Sequence, residues 1–125
     1  MDTILLVEDN ELSRDALARR LARRGYRVVA AGDGEEAVAL AQASSPDLIL
    51  MDLGLPRLDG WSATRRLKSG VHTCHIPIIV LSAHATADDR DLVLAAGGDD
   101  LDTKPVRFDE LVGKIDKLLK KEAGR

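Results

Sequence analysis

Five side chains suited to chemistry, Glu8, Asp9, Asp52, Ser82 and Lys104, stand where extended and mostly apolar runs end. Three carboxylates held close together repel one another, which raises a pKa or demands a cation. A hard divalent ion such as magnesium takes oxygen ligands and keeps some of its waters, so it suits Asp9, Asp52 and, through water, Glu8. Lys104 adds a positive point charge and Ser82 a hydroxyl donor. Metal, ammonium and hydroxyl aimed at one carboxylate form a receptor for a phosphoryl group carried on that carboxylate, since aspartyl-phosphate chemistry is mostly positioning and charge neutralisation. Asp52 is the expected nucleophile.

These residues are scattered, so the fold must gather them. The run LILMDLGLPRLDGW (48–61) passes from unbroken apolar residues into Asp52, then Gly54, Pro56 and Gly60. Such a run is expected of a strand covered on both faces, as in parallel sheets flanked by helices. The strand would hold the attacking oxygen. Gly54 and Pro56 would allow the sharp bend after it, and the Gly54 backbone carbonyl would complete the metal shell.

Apolar runs and helical periods alternate from end to end, the pattern of strands joined by crossover helices. Strands are expected at 3–7, 27–31, 47–51, 76–81 and 100–103, and helices at 10–24, 34–43, 59–68, 87–96 and 107–121. Gly25 and Gly97 are placed as C-terminal caps, and Thr86 with Asp89 as a capping box. Phe108, Leu111, Val112, Ile115, Leu118 and Leu119 fall on one face of the last helix, whose polar tail at 120–125 is expected to fray. The expectation is one doubly wound α/β domain over residues 1–125. In a parallel sheet all C-terminal strand ends share an edge, and for the order 2-1-3-4-5 the acids meet where the order reverses, between strands one and three.

Composition narrows the function classes. The net charge of −3 gives no general pull toward nucleic acid or anionic lipid, and one Trp, one Tyr and one Phe leave no stacking platform for single strands. No apolar run approaches the roughly 20 residues of a membrane-spanning helix. Cys74 is alone and no charged-then-apolar leader precedes Thr3, so a reducing, cytoplasmic home is expected.

VEDN, DLILMDLGLPRLDG, PIIVLSA and the Lys104-Pro105 pair resemble the response-regulator receiver family, the CheY-like domains of flavodoxin-like fold, over essentially the whole chain. The resemblance implies that Asp52 accepts a phosphoryl group from the phosphohistidine of a histidine kinase or histidine phosphotransfer protein. It also implies that Glu8 and Asp9 hold magnesium, that Lys104 contacts the phosphoryl oxygens, that Ser82 reorients toward them, and that the Lys104-Pro105 bond is cis. The changed surface would then engage a downstream protein. The family's usual aromatic switch residue is replaced by Leu101, an apolar position is taken by Asp102, and Val106 stands for a frequent Phe. Switching is therefore expected to involve Ser82, Leu101 and Pro105 without an aromatic rotamer.

The basic run ARRLARRGYR (18–27) is by default a solvated helix face with an Asp15–Arg19 ion pair. The resemblance adds docking of the phosphoryl donor through Leu12, Arg19 and Arg23. His72, Cys74 and His75 lack a second ligand pair for zinc. His84, two positions after Ser82, is by default an exposed loop histidine, with a place bordering the expected phosphoryl site as the alternative, and Trp61 reads as helix packing. An aspartate-nucleophile phosphatase would want an acid where Gly54 stands, and a flavin protein would want a hydroxyl-rich loop and aromatics. An interaction module with idle acids is the remaining rival.

Overall fold

The structure, a computed structural model, describes residues 1–83 and 86–123. Five strands alternate with five helices: β1 (Thr3–Val7), α1 (Glu11–Arg23), β2 (Arg27–Ala31), α2 (Gly34–Ser44), β3 (Leu48–Asp52), α3 (Gly60–Ser69), β4 (Ile78–Ser82), α4 (Ala87–Ala96), β5 (Asp100–Thr103) and α5 (Phe108–Ala123). All strand pairs are parallel, in the order β2-β1-β3-β4-β5. This is the doubly wound, CheY-like α/β fold.

Alternation along each strand divides the apolar residues between two cores. Leu5, Val7, Ile49, Met51, Val80 and Leu101 face the side covered by α2, α3 and α4. Ile4, Leu6, Leu48, Leu50, Ile79 and Leu81 pack against Leu21 of α1 and Leu111 and Ile115 of α5. Because both faces are covered, β3 and β4 are buried along their full length, which is why they read as continuous apolar runs.

Local chemistry fixes the boundaries. Asn10, Asp33, Asp59 and Thr86 cap α1 to α4 through their side chains, with Thr86 and Asp89 forming the expected capping box. Gly97 closes α4 in the left-handed region at φ 96°. Gly25 is also left-handed, but the residue that caps α1 is Arg24.

Some boundaries differ from the expected ones. β4 begins at Ile78, two residues late, because Pro77 has no N–H to give the ladder and contributes only its carbonyl, to Ile49. β3 shifts by one: Asp47 is spent on Thr3, and Asp52 pairs with Leu81 as the last strand residue. The tail continues α5 to Ala123 instead of fraying from 120, and residues 124–125 lie outside the described residues.

Candidate functional site

β1 and β3 are neighbours although β2 and α2 separate them in sequence, so their C-terminal ends meet at the reversal of strand order. There one carboxylate oxygen each from Glu8, Asp9 and Asp52 lies within 4.8 Å of the others. Glu8 and Asp52 are each 7 % exposed while Asp9 is open to solvent, so two acids are set by the sheet and the third faces outward.

Lys104 reaches into this group from the end of β5. Its Nζ donates to Glu8 Oε1 at 2.8 Å and pairs with Asp52 Oδ1 at 3.0 Å. Burial alone would lower the Lys104 pKa, but the hydrogen bonds and charges of Glu8 and Asp52 outweigh it and leave the ammonium above its ordinary value. Lys104 is therefore cationic throughout the neutral range. The peptide bond to Pro105 is cis, as the resemblance implied. Ser82 ends β4, 7 % exposed, and its carbonyl accepts the Lys104 amide at 2.8 Å, which ties the hydroxyl-bearing residue to the lysine.

Glu8 is more heavily engaged than its neighbours. Its Oε2 accepts the Asn10 amide at 3.3 Å, and its carbonyl accepts Arg14 Nη1 at 3.2 Å. With Lys104 on Oε1, both carboxylate oxygens have donors, so Asp9 and Asp52 offer the more open oxygens. An all-oxygen donor set in which three carboxylates face one ammonium suits a hard divalent cation.

The loop after Asp52 bends differently from the expectation. Gly54 is not in the left-handed region, and a Cβ placed on it would meet nothing within 4 Å. The left-handed residue is Arg57, at φ 65°. Glycine is needed at position 60, where a Cβ would stand 2.2 Å from the Asp52 carbonyl oxygen, because α3 starts directly against the end of β3.

Beside Lys104 lies an open hollow of about 500 Å³ between α1 and the segment after β5, floored by Leu6, Leu17, Leu81 and Val106 and edged by Ser13 and Arg20. Of the docking candidates, Leu12 is 82 % exposed on α1, while Arg19 does not line this hollow. Arg23 lines a smaller hollow with Arg20, Arg24 and Phe108. Arg20, which sequence reasoning passed over, lies between the two and stacks over the Phe108 ring at 4.4 Å. Its position four residues before Arg24 and one turn after Ala16 was the signal available. The Asp15–Arg19 ion pair expected from spacing does not form; instead Arg24, which caps α1, pairs with Asp116 of α5.

Away from the strand ends, Leu101 is buried on β5 at 2 % exposure. Asp102 points to the opposite face, near Lys114 of α5 at 3.5 Å. Trp61 packs half-buried on the core as expected. Among the described residues Glu8, Asp9 and Asp52 are the only cluster with metal-ligand spacing, so His72, Cys74 and His75 do not gather a site. His84 lies outside the described residues. No helix among the described residues is long and apolar enough to cross a membrane.

Known proteins with this arrangement agree on its kind. The family model of the response regulator receiver domain matches residues 4–116. The transcriptional regulatory protein AfsQ1 of Streptomyces coelicolor is 39 % identical over 97 % of this chain and 52 % of its own length. The chain thus spans about half the length of the curated relatives it matches. Among solved structures, the Francisella response regulator 1452 receiver domain superposes with a TM-score of 0.90 at 29 % identity, covering 97 % of this chain and 98 % of that one. The receiver domain of sensor histidine kinase PA1611 from Pseudomonas aeruginosa, described with a magnesium ion coordinated in its active site cleft, is 40 % identical with a TM-score of 0.84, covering 99 % of this chain and 98 % of that one. With the family match over most of its length and the strand-end constellation in the fold that carries it, the chain belongs to the response-regulator receiver family of two-component signalling.

Proposed function

We propose that this chain, read as one receiver domain over residues 1–125, is a phosphorylation switch in which Asp52 is the phosphoacceptor. The observation that carries the reading is Lys104 in ion-pair contact with both Asp52 and Glu8 beside a three-carboxylate cluster. Asp9 and Asp52 would hold magnesium directly, Glu8 through water and Gly54 by its backbone carbonyl. When bound, the metal neutralises charge on the carboxylates and on the transferring phosphoryl oxygens.

An Asp52 carboxylate oxygen attacks phosphorus; the bond from phosphorus to the donor's histidine nitrogen breaks, and that nitrogen keeps the electron pair. Lys104, released from part of its contact with Asp52, follows the phosphoryl oxygens, and the Ser82 hydroxyl donates to them. Because Ser82 and Lys104 end adjacent strands and share a backbone hydrogen bond, their shift is passed to Leu101, Pro105 and the α4–β5 surface, where a downstream protein reads it. Water attack on the acyl phosphate in the same site resets the switch. The donor is a histidine kinase or histidine phosphotransfer protein in the cytoplasm, docking on α1 through Leu12, Arg19 and Arg23 beside the hollow next to Lys104.

Phosphoramidate, whose phosphorus–nitrogen bond stands in for phosphohistidine, tests the reading. Sustained release of inorganic phosphate that stops on chelation of magnesium and is absent in Asp52→Asn is expected. Release that persists in Asp52→Asn would contradict it.

A further inference from the structure

The loop that follows Asp52 is tied to a second loop by an ion pair outside the cluster. Asp33, at the end of the β2–α2 connection, caps α2 by accepting the Glu36 amide on Oδ1 at 2.8 Å, and its Oδ2 accepts Arg57 Nη1 at 2.7 Å. The Glu36 amide, with the Arg57 charge beside it, holds the Asp33 carboxyl below the usual carboxylate range. Asp33 is buried, whereas the Arg57 side chain is 74 % exposed. Arg57 occupies the left-handed region at φ 65°, where glycine fits better than any L side chain.

An ion pair with one partner this exposed adds little to stability, and the backbone strain at Arg57 opposes it. Its effect is expected in where the loop sits. The inner limb is pinned by the Leu53 amide on Leu81 O at 3.3 Å and the Gly60 amide on Leu53 O at 3.0 Å. The outer limb presses on α2, since a Cβ on Gly34 would lie 1.9 Å from Leu58 O. Gly54 stands between these supports, and a Cβ added to it would meet nothing within 4 Å, so no neighbour braces it on that side.

We infer that Arg57 is a positioning residue for the metal site: paired with Asp33, it fixes the 53–59 loop so that the Gly54 carbonyl and Asp52 address one divalent cation. This rests on the magnesium reading above. Asp33→Asn keeps an acceptor for the α2 cap and removes the charge partner. Arg57→Gly removes the clamp and relieves the left-handed strain, and Arg57→Lys keeps a cation.

Amide NMR titrations with magnesium chloride, alongside thermal melts, separate the outcomes. Magnesium affinity is expected to fall roughly tenfold in Arg57→Gly and in Asp33→Asn, the low end of what loss of a support beyond the ligands costs. Arg57→Lys should recover most of it. The Tm of Arg57→Gly should equal or exceed that of the unchanged protein, and its metal-free loop amides should have lower order parameters. Equal affinities for the unchanged protein and Arg57→Gly would overturn the inference while leaving the metal site standing. An unchanged protein with no saturable magnesium binding would overturn the metal reading and the inference with it.

Discussion

The two sides of Lys104 are built to different standards. Toward β1 and β3, the buried carboxylates meet donors: Glu8 takes Lys104 and the Asn10 amide, and Asp52 takes Lys104. Toward α5, buried Asp102 has its Oδ1 engaged by the Thr103 amide, with Lys114 3.5 Å away, while its Oδ2 is buried without a partner. Lys114 itself donates at 2.7 Å to the Leu101 carbonyl instead. Among the described residues, Thr64 has the only other buried, unpartnered side-chain oxygen, and neither of the two belongs to the Glu8, Asp9 and Asp52 cluster. A buried polar atom without a partner costs free energy. The buried carboxylates beside Lys104 thus have donors, whereas β5 carries a buried carboxylate oxygen without one.

The largest expected effect tests the satisfied side. Lys104→Ala should slow phosphorylation by acetyl phosphate roughly a hundredfold or more, the scale of losing one donor aimed at developing charge. It should also cost roughly 1–3 kcal/mol of stability, because Glu8 and Asp52 lose their shared donor. Intact-mass time courses and urea unfolding check both. A variant phosphorylated at the normal rate would dissolve the distinction between the two sides.

Asp102→Val should go the other way. Replacing a half-satisfied buried carboxylate by a β-branched residue in a strand is expected to stabilise the fold by about 1–2 kcal/mol, read as a higher urea midpoint. Its phosphorylation rate should stay within about twofold, since Asp102 touches none of the reacting groups. A loss of stability would show that Asp102 is better paired than its geometry indicates.

A smaller effect belongs to the α5 side alone. Tyr26 hydrogen-bonds Asp116, and burial, followed by that bond and the Asp116 charge, raises its phenol from 10.0 to about 12. The folded state therefore binds this proton more tightly than the unfolded one. The stabilisation is complete below about pH 10 and is lost as pH rises toward 12. Ultraviolet titration of the single tyrosine should show the raised midpoint, with Asp116→Asn bringing it down; a midpoint at the ordinary value would remove this tie between the α1–β2 turn and α5.

The same contrast governs what the sequence made legible. The five strands and five helices could be read because they depend on periodicity, and the convergence of Glu8, Asp9, Asp52, Ser82 and Lys104 because a parallel sheet maps strand ends onto one edge, while the strand order came with the family resemblance. Even there the placement of glycine was misjudged. The need at Gly60 arises from α3 abutting the Asp52 carbonyl, a tertiary contact, and Arg57 gives no sign in its residue type of a positive φ. Proline at 77 marked a strand start that an apolar run alone placed two residues early. The Arg24–Asp116, Arg57–Asp33 and Lys114–Asp102 pairs escaped notice because each joins separate elements, and local spacing reports only pairs within a helix.

If Asp52 takes a phosphoryl group with the help of a divalent cation, intact mass spectrometry after incubation with acetyl phosphate should show one phosphoryl adduct, labile to base, that appears with magnesium, disappears with chelator and is missing in Asp52→Asn. An adduct that survives in Asp52→Asn, or that forms equally well without magnesium, would contradict it.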